Sequence, residues 1–280
     1  KDYDLVSESS SFGFYCSLIS GLLFGVLCAL FHSPLLALLG ADATTRTATE
    51  GYMFWTVYLG AAPAILNVVM AYMVRSEGAS LHASVGTMCG CFLNIVLDPI
   101  FILPWGLNMG AAGAGLATCL SNCVACGYFF VLLYVKRKST FVCIDPRKFR
   151  MKKRIVFEVC SVGIPASIQN LLNVTGMTIL NNFTAVYGAD AVAAMGIAYK
   201  LYTVPMQVTM GFSQGIMPLV SYTFAYGNRK RMKEGILFAL KVMVPVLLVI
   251  TLAYYLGAER FIALFMANAS IIAYGAAFLT

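Results

Sequence analysis

Charge is scarce in this sequence: Asp, Glu, Lys and Arg make up 11% of its 280 residues, about half the share of an ordinary soluble domain. That scarcity excludes a water-soluble globule, whose surface needs many ionic side chains. Histidine is nearly absent too. His32 and His82 stand alone, with no companion at ligand spacing, which argues against a histidine metal centre. No cleavable leader with a small-residue cutting site opens the chain, and its first residue is Lys1 rather than Met. We therefore expect a window of a longer protein. Cysteine is more plentiful, yet Cys16, Cys28, Cys89, Cys91, Cys119, Cys123 and Cys126 all fall inside apolar runs. They read as thiols packed in helices, not as the staples of a small secreted fold. Cys119, Cys123 and Cys126 share one helix face, but no further ligand completes a metal set.

What the sequence has instead is hydrophobic length, 60% of its residues. About 20 helical residues cross a hydrocarbon core about 30 Å thick. Uncharged or nearly uncharged runs fall at 12–39, 52–74, 83–103, 110–135, 155–187, 190–224, 234–257 and from 270 onward. The fold class is therefore an all-α polytopic membrane protein, seven spans and part of an eighth. Pro34, Pro165, Pro205 and Pro218 lie within these runs and predict bent helices, whose freed carbonyls need a neighbouring helix or a wet cavity.

Basic residues alternate between loops. One set of loops holds Lys1, Arg75, nine residues between Lys136 and Arg154, and Arg229, Lys230, Arg231 and Lys233; the other holds Arg46 and Arg260. The first set is cytoplasmic by the positive-inside rule. The net charge of +7 then faces anionic lipid heads, so membrane lipid is the expected partner and nucleic acid is not. The polar stretch 136–154 (KRKSTFVCIDPRKFRMKKR) divides the chain. Residues 1–135 read as part of an N-terminal transmembrane lobe, 136–154 as a cytoplasmic basic loop, and 155–280 as part of a C-terminal lobe.

Sliding the sequence on itself by 226 residues pairs Phe12 with Phe238, Leu22 with Leu248, Leu30 with Leu256, Ala37 with Ala263, Leu38 with Leu264, Ala41 with Ala267 and Ala43 with Ala269, and sets Asp42 against Asn268. The first span thus repeats as the seventh, leaving six per unit. An even count makes the halves parallel repeats, and a complete protein of that plan has twelve spans. Twinned six-helix lobes point to a transporter.

The segment Arg75-Ser76-Glu77-Gly78, the stretch from Leu93 to Ile102 (LNIVLDPIFI) and the run from Met109 to Thr118 (MGAAGAGLAT) resemble the multidrug and toxic compound extrusion (MATE) family. Gly163-Ile164-Pro165, Ala193-Ala194-Met195-Gly196-Ile197 and the run from Gly211 to Pro218 (GFSQGIMP) are similar to its second lobe. The resemblance implies a MATE-like fold of two six-helix lobes around a central cavity, this chain covering helices three to nine and the start of ten. It implies export of small compounds coupled to inward protons or sodium, with no other cofactor. It further implies a multi-pass protein of the plasma (cytoplasmic) membrane that works as a monomer when complete.

Two formal charges well inside the runs stand out, Asp98 and Lys200. On insertion scales each costs about 2.5–3.5 kcal/mol and needs a partner or a wet cavity. Asn94 precedes Asp98 by one helical turn, and Pro99 removes the amide that would bond the Ile95 carbonyl. The next run is antiparallel and brings Thr118 to the depth of Asn94 within a turn. Asp98, Asn94 and Thr118 could then ring a small hard cation, or Asp98 could exchange a proton; the plainer reading is that Asp98 caps a broken helix. In the MATE family, positions in this motif context bind cations in some members. The acidic residue that some sodium-coupled members carry in the fifth run is replaced by Gln169, Asn170 and Asn173, which leaves the ion open.

For cargo, Gln207, Met210 and Gln214 follow one face of the sixth run, and Gln169, Asn173 and Met177 one face of the fifth. Amides and thioethers at such spacing suit flat, partly apolar cations, with Lys200 a further cavity candidate; packing between helices is the alternative use. Gly110, Gly113 and Gly115 mimic a dinucleotide fingerprint, but no strand precedes them, so they read as small residues that let helices approach. A lipid-linked sugar flippase shares the two-lobe plan and would favour a strongly basic cavity. A seven-helix receptor fits the span count alone. An enzyme is not expected, since no Ser/His, paired-Asp or metal triad sits at one depth.

Overall fold

The apolar runs fold as helices, and in the second span the helix bends sharply at Gly60, just before Pro63. In the computed structural model, which describes residues 3–38, 45–137, 140–263, 265 and 268–279, the chain divides into two units, Lys1–Lys152 and Lys153–Thr280. Of the repeat pairing, Ala41, Asp42, Ala43, Leu264 and Ala267 lie outside the described residues, as do Lys138 and Ser139 of the basic stretch.

In the first unit, α1 (Tyr3–Leu30) stops at Phe31 and resumes as α2 (His32–Leu38). Next come α3 (Arg46–Met53), a π-helical turn (Phe54–Leu59) and α4 (Ala61–Ser76). The two halves of this second span meet at 50°. Gly60 is the junction, and Pro63 in the first turn of α4 has no N–H to return to the Leu59 carbonyl. The Cys126 thiol donates to the Pro63 carbonyl at 3.2 Å. By contrast, α5 (Ser80–Ile102) runs on through Pro99, three residues from its end, and α6 (Ala111–Val135) follows antiparallel. Leu107 and Met109 close this hairpin by donating to the Ile100 and Phe101 carbonyls, both at 2.9 Å.

In the second unit, α7 (Lys153–Ala185), α8 (Ala189–Ala225), α9 (Arg229–Ala263) and α10 (Ala269–Leu279) follow in order. Here the prolines do not interrupt the helices: α7 continues through Pro165 and α8 through Pro205 and Pro218. Asn228 and Asn268 cap α9 and α10, their side-chain oxygens accepting from Arg231 N (3.1 Å) and Ser270 N (3.0 Å).

By length and hydropathy α1, α5, α6, α7 and α9 can each cross a membrane, and the bent pair α3–α4 makes a sixth candidate. Helix α8 is long enough at 37 residues, but Lys200, Gln207, Ser213 and Gln214 dilute its hydropathy. Apolar side chains on the outside of α1, such as Leu22 and Leu23, stay more than half exposed, as lipid-facing positions do.

Because lipid tails are as apolar as leucine, packing rather than water exclusion holds such helices together, and small residues set how close they come. The glycine run at the start of α6 does this on two faces. A Cβ on Gly113 would lie 2.5 Å from the Phe101 carbonyl oxygen of α5, and one on Gly115 would lie 2.9 Å from the Tyr52 carbonyl oxygen of α3. The core behind them joins Phe14, Met70, Val74 and Phe129, from α1, α4 and α6. A smaller core in the second unit joins Ala194, Leu201, Ile262 and Ile271.

The described part of the basic stretch, up to Lys152, belongs to the first unit. From Thr140 to Lys152 it lies as a strap across the first unit, with one 3-10 turn at Pro146–Lys148. Ser11 Oγ donates to the Cys143 carbonyl (2.8 Å) and Tyr15 OH to the Ile144 carbonyl (2.8 Å). Lys152 Nζ pairs with buried Glu8 at 2.6 Å. Glu77, just past α4, accepts from Thr140 Oγ1 (2.6 Å), Phe141 N (2.6 Å) and Val142 N (2.9 Å). Hydrogen bonds to a charged group are worth about 1.5–3 kcal/mol each, less where water competes. Glu77→Ala should therefore speed tryptic cleavage after Arg147 and Lys148 about tenfold in a limited-proteolysis time course. An unchanged rate would mean the strap does not depend on this carboxylate.

Candidate functional site

On α5, Asn94 and Asp98 are four residues apart and share a face; on α6, Thr118 and Asn122 do the same. The hairpin turns these two faces together. Asn94 Nδ2 donates to Asp98 Oδ1 at 3.4 Å and to Thr118 Oγ1 at 3.5 Å, while the Thr118 hydroxyl donates to the Ala114 carbonyl at 3.0 Å. All three side chains are half-buried. The sequence grouped them by depth; the fold places them within reach of one another.

The cluster extends to a third helix, which the sequence reading missed. Asn122 Nδ2 donates to the Thr118 carbonyl at 3.0 Å, and its Oδ1 accepts from Asn67 Nδ2 of α4 at 3.1 Å. Five polar residues thus form a chain across α4, α5 and α6: Asn67, Asn122, Thr118, Asn94 and Asp98. Asn122 could have been found, because it stands one turn from Thr118 on a face otherwise of small and apolar residues. Asn67 could not, since its helix begins at a break that hydropathy does not mark. Among the described residues Asn67 Oδ1 is buried without a hydrogen-bond partner, a spare acceptor at the far end of the chain.

Chemically this is a set of oxygen donors with one formal negative charge. The Asn94 amide now presents nitrogen to its two neighbours; a half-turn about its last torsion would present oxygen in its place. Carboxylate, amide and hydroxyl oxygens suit a hard monovalent or divalent cation, and the carboxylate alone suits a proton. Thr118→Val deletes the hydroxyl and keeps the shape, whereas Thr118→Ser keeps the hydroxyl. We expect the valine variant to need at least fivefold more coupling ion for half-maximal transport and the serine variant to stay within twofold, read from an ion titration of transport.

The cargo candidates separate. Within the second unit a cavity of about 1070 Å³ gathers Asn173 and Met177 of α7 and Met210 of α8, together with Tyr199, Tyr202 and Tyr254. Gln169, Lys200, Gln207 and Gln214 do not line it. The reason is helical phase. Tyr202, Met206 and Met210 recur every four residues and face the cavity, while Lys200, Gln207 and Gln214 recur every seven on another stripe of α8. Gln169 lies one turn beyond Asn173. Lys200 is exposed, and among the described residues no carboxylate pairs with it. Lys241, a further formal charge well inside the run 234–257, was overlooked in the sequence; it is exposed on α9.

Comparison with known proteins bears on the fold that carries this cluster. A family model described as MatE matches residues 1–100 and 165–280. The chain belongs to the MATE family. Among curated MATE relatives it is 31% identical to the multidrug export protein MepA of Staphylococcus aureus over 273 residues, 97% of this chain and 59% of that protein. To MepA of Staphylococcus saprophyticus it is 33% identical over 274 residues, with the same coverage. It thus spans about three fifths of the length of these relatives. A solved structure described as the outward-facing conformation of a multidrug resistance MATE family transporter of the MOP superfamily superposes with a TM-score of 0.87 at 26% identity, covering 98% of this chain and 61% of that one. The all-helical MATE fold and a multi-pass membrane protein follow from these matches.

Proposed function

We propose that this chain forms part of a cation-coupled antiporter that exports small cationic or amphipathic compounds across the plasma membrane by alternating access between two lobes. The observation that carries the reading is the meeting of Asp98, Asn94 and Thr118 between two helices apolar enough to span a membrane. An ionisable residue in that setting is costly, and a coupling ion or proton gives it a use. The relatives are named as multidrug export proteins, which agrees.

The cavity of the second unit supports the cargo class. Among the described residues no charged side chain lines it, which disfavours anionic cargo such as a lipid-linked sugar phosphate. Tyrosine rings attract cations over their faces, and methionines adapt to ligands of different outline. Protons or sodium are the coupling ions in this proposal; no cofactor or catalytic step is involved, and the complete protein works as a monomer. The test is transport by the protein expressed from its own gene and reconstituted in liposomes. Imposed inward gradients of protons or of sodium should each be tried, and one of them should drive expulsion of a fluorescent cationic dye. Dye movement indifferent to both gradients would overturn the coupling.

A further inference from the structure

We propose that a cavity at the basic end of the first unit binds the headgroup of an anionic phospholipid. This goes beyond the transport reading and does not depend on it. The cavity measures about 400 Å³ and lies where the last two turns of α6 meet the docked strap. Among the described residues its cations are Arg137, just past α6, and Lys148, in the 3-10 turn of the strap. The carboxylate among those residues, Asp145, is turned to the backbone of the strap, Oδ1 accepting from Arg147 N at 2.9 Å. The described lining therefore carries two formal positive charges against one negative.

The remaining walls match the rest of a lipid. The hydroxyl residues Ser7 of α1 and Thr140 of the strap line it too, and Phe130 and Tyr134 come from the spanning helix α6. Tyr134 is 70% exposed, an amphipathic ring where a spanning helix ends, as at a membrane interface. The Arg137 guanidinium stands 5.2 Å from the centre of that ring, a contact that steadies it without occupying its hydrogen-bond donors. The strap that forms the other wall is held by Glu77, Ser11 and Tyr15, so the cations are presented on a fixed surface. A phosphate diester between Arg137 and Lys148, with acyl chains descending along Phe130, uses both the cations and the aromatic wall of this lining. Free phosphate would leave the aromatic wall idle.

The experiment titrates the detergent-purified protein with short-chain phosphatidylglycerol, short-chain phosphatidylcholine and inorganic phosphate. Phosphatidylglycerol should bind at least tenfold more tightly than either of the others. The double variant Arg137→Gln, Lys148→Gln alters exposed side chains, and should lose that preference while its melting temperature holds. Lys152→Gln removes the same kind of charge from the Glu8 pair, outside the cavity lining, and should keep it. Equal affinity for phosphatidylcholine, equal affinity for inorganic phosphate, an unchanged double variant, or an equal loss in Lys152→Gln would each overturn the assignment.

Discussion

Asp98→Asn should bring dye efflux down to the level of cells that lack the gene, with the protein still present in the membrane at a level within twofold of wild type. Asparagine has the same outline as aspartate and can still accept from the Asn94 amide, a contact of 3.4 Å in the wild-type chain. Helix capping and packing would therefore survive the change. What disappears is the one formal charge of the polar chain and the one group in it able to take up a proton. The comparison is sharpened by Asp98→Glu, which restores charge about one bond farther out and should recover part of the activity. If efflux by Asp98→Asn matches wild type, the carboxylate is a structural hydrogen-bond partner and the coupling proposal fails.

The second large effect concerns assembly. Gly113→Val should abolish recovery of monodisperse protein, or lower the melting temperature of what is recovered by about 10 °C. The added Cβ would sit 2.5 Å from the Phe101 oxygen and 2.7 Å from its carbon. Both are backbone atoms of α5, so no flexible side chain can swing aside. Overpacking typically costs about 1–3 kcal/mol, and each kcal/mol is worth about 2–4 °C in a protein of 150–250 residues. Forcing α5 and α6 apart would also separate Asn94 from Thr118, so any surviving protein should transport poorly. The internal control is Gly127→Ala on the same helix. Nothing lies within 4 Å of a Cβ at that position, and alanine favours the helix by about 1 kcal/mol over glycine. This variant should be neutral or slightly stabilising, as judged by thermal unfolding in detergent. A destabilised Gly127→Ala, or an unaffected Gly113→Val, would show that glycine spacing does not govern the contact.

How far each feature could be read depended on the range of the interaction behind it. Asp98 and Asn94 lie one turn apart, so the helical period alone sets them on one face. Thr118 needed one further inference, that the next helix is antiparallel, and the short connection between α5 and α6 made that safe. Asn67 was out of reach because its position depends on the Gly60 break, where the π-helical turn shifts the phase of the helix before α4 begins. The cargo candidates separated for a similar reason, Asn173, Met177 and Met210 lining the cavity of the second unit and Gln169, Lys200, Gln207 and Gln214 not. Gln207, Met210 and Gln214 are near neighbours on a helical wheel, yet a wheel does not say which stripe of a long helix faces a cavity. Packing of α7, α9 and α10 decided that the Tyr202–Met206–Met210 stripe does.

The sequence by itself determined that this is a helical membrane protein, because hydrophobic run length and basic-residue asymmetry are local quantities that a bilayer reads directly. It also determined which residues are costly to bury, Asp98 and Lys200 among them. Only the tertiary structure decided which of those costs is met. It joined Asp98 to a polar chain through three helices, left Lys200 exposed, and laid the basic stretch against Glu8 and Glu77 as a strap. Those outcomes depend on distances between atoms remote in sequence, set by how closely glycines let backbones approach, and no one-dimensional pattern encodes that separation.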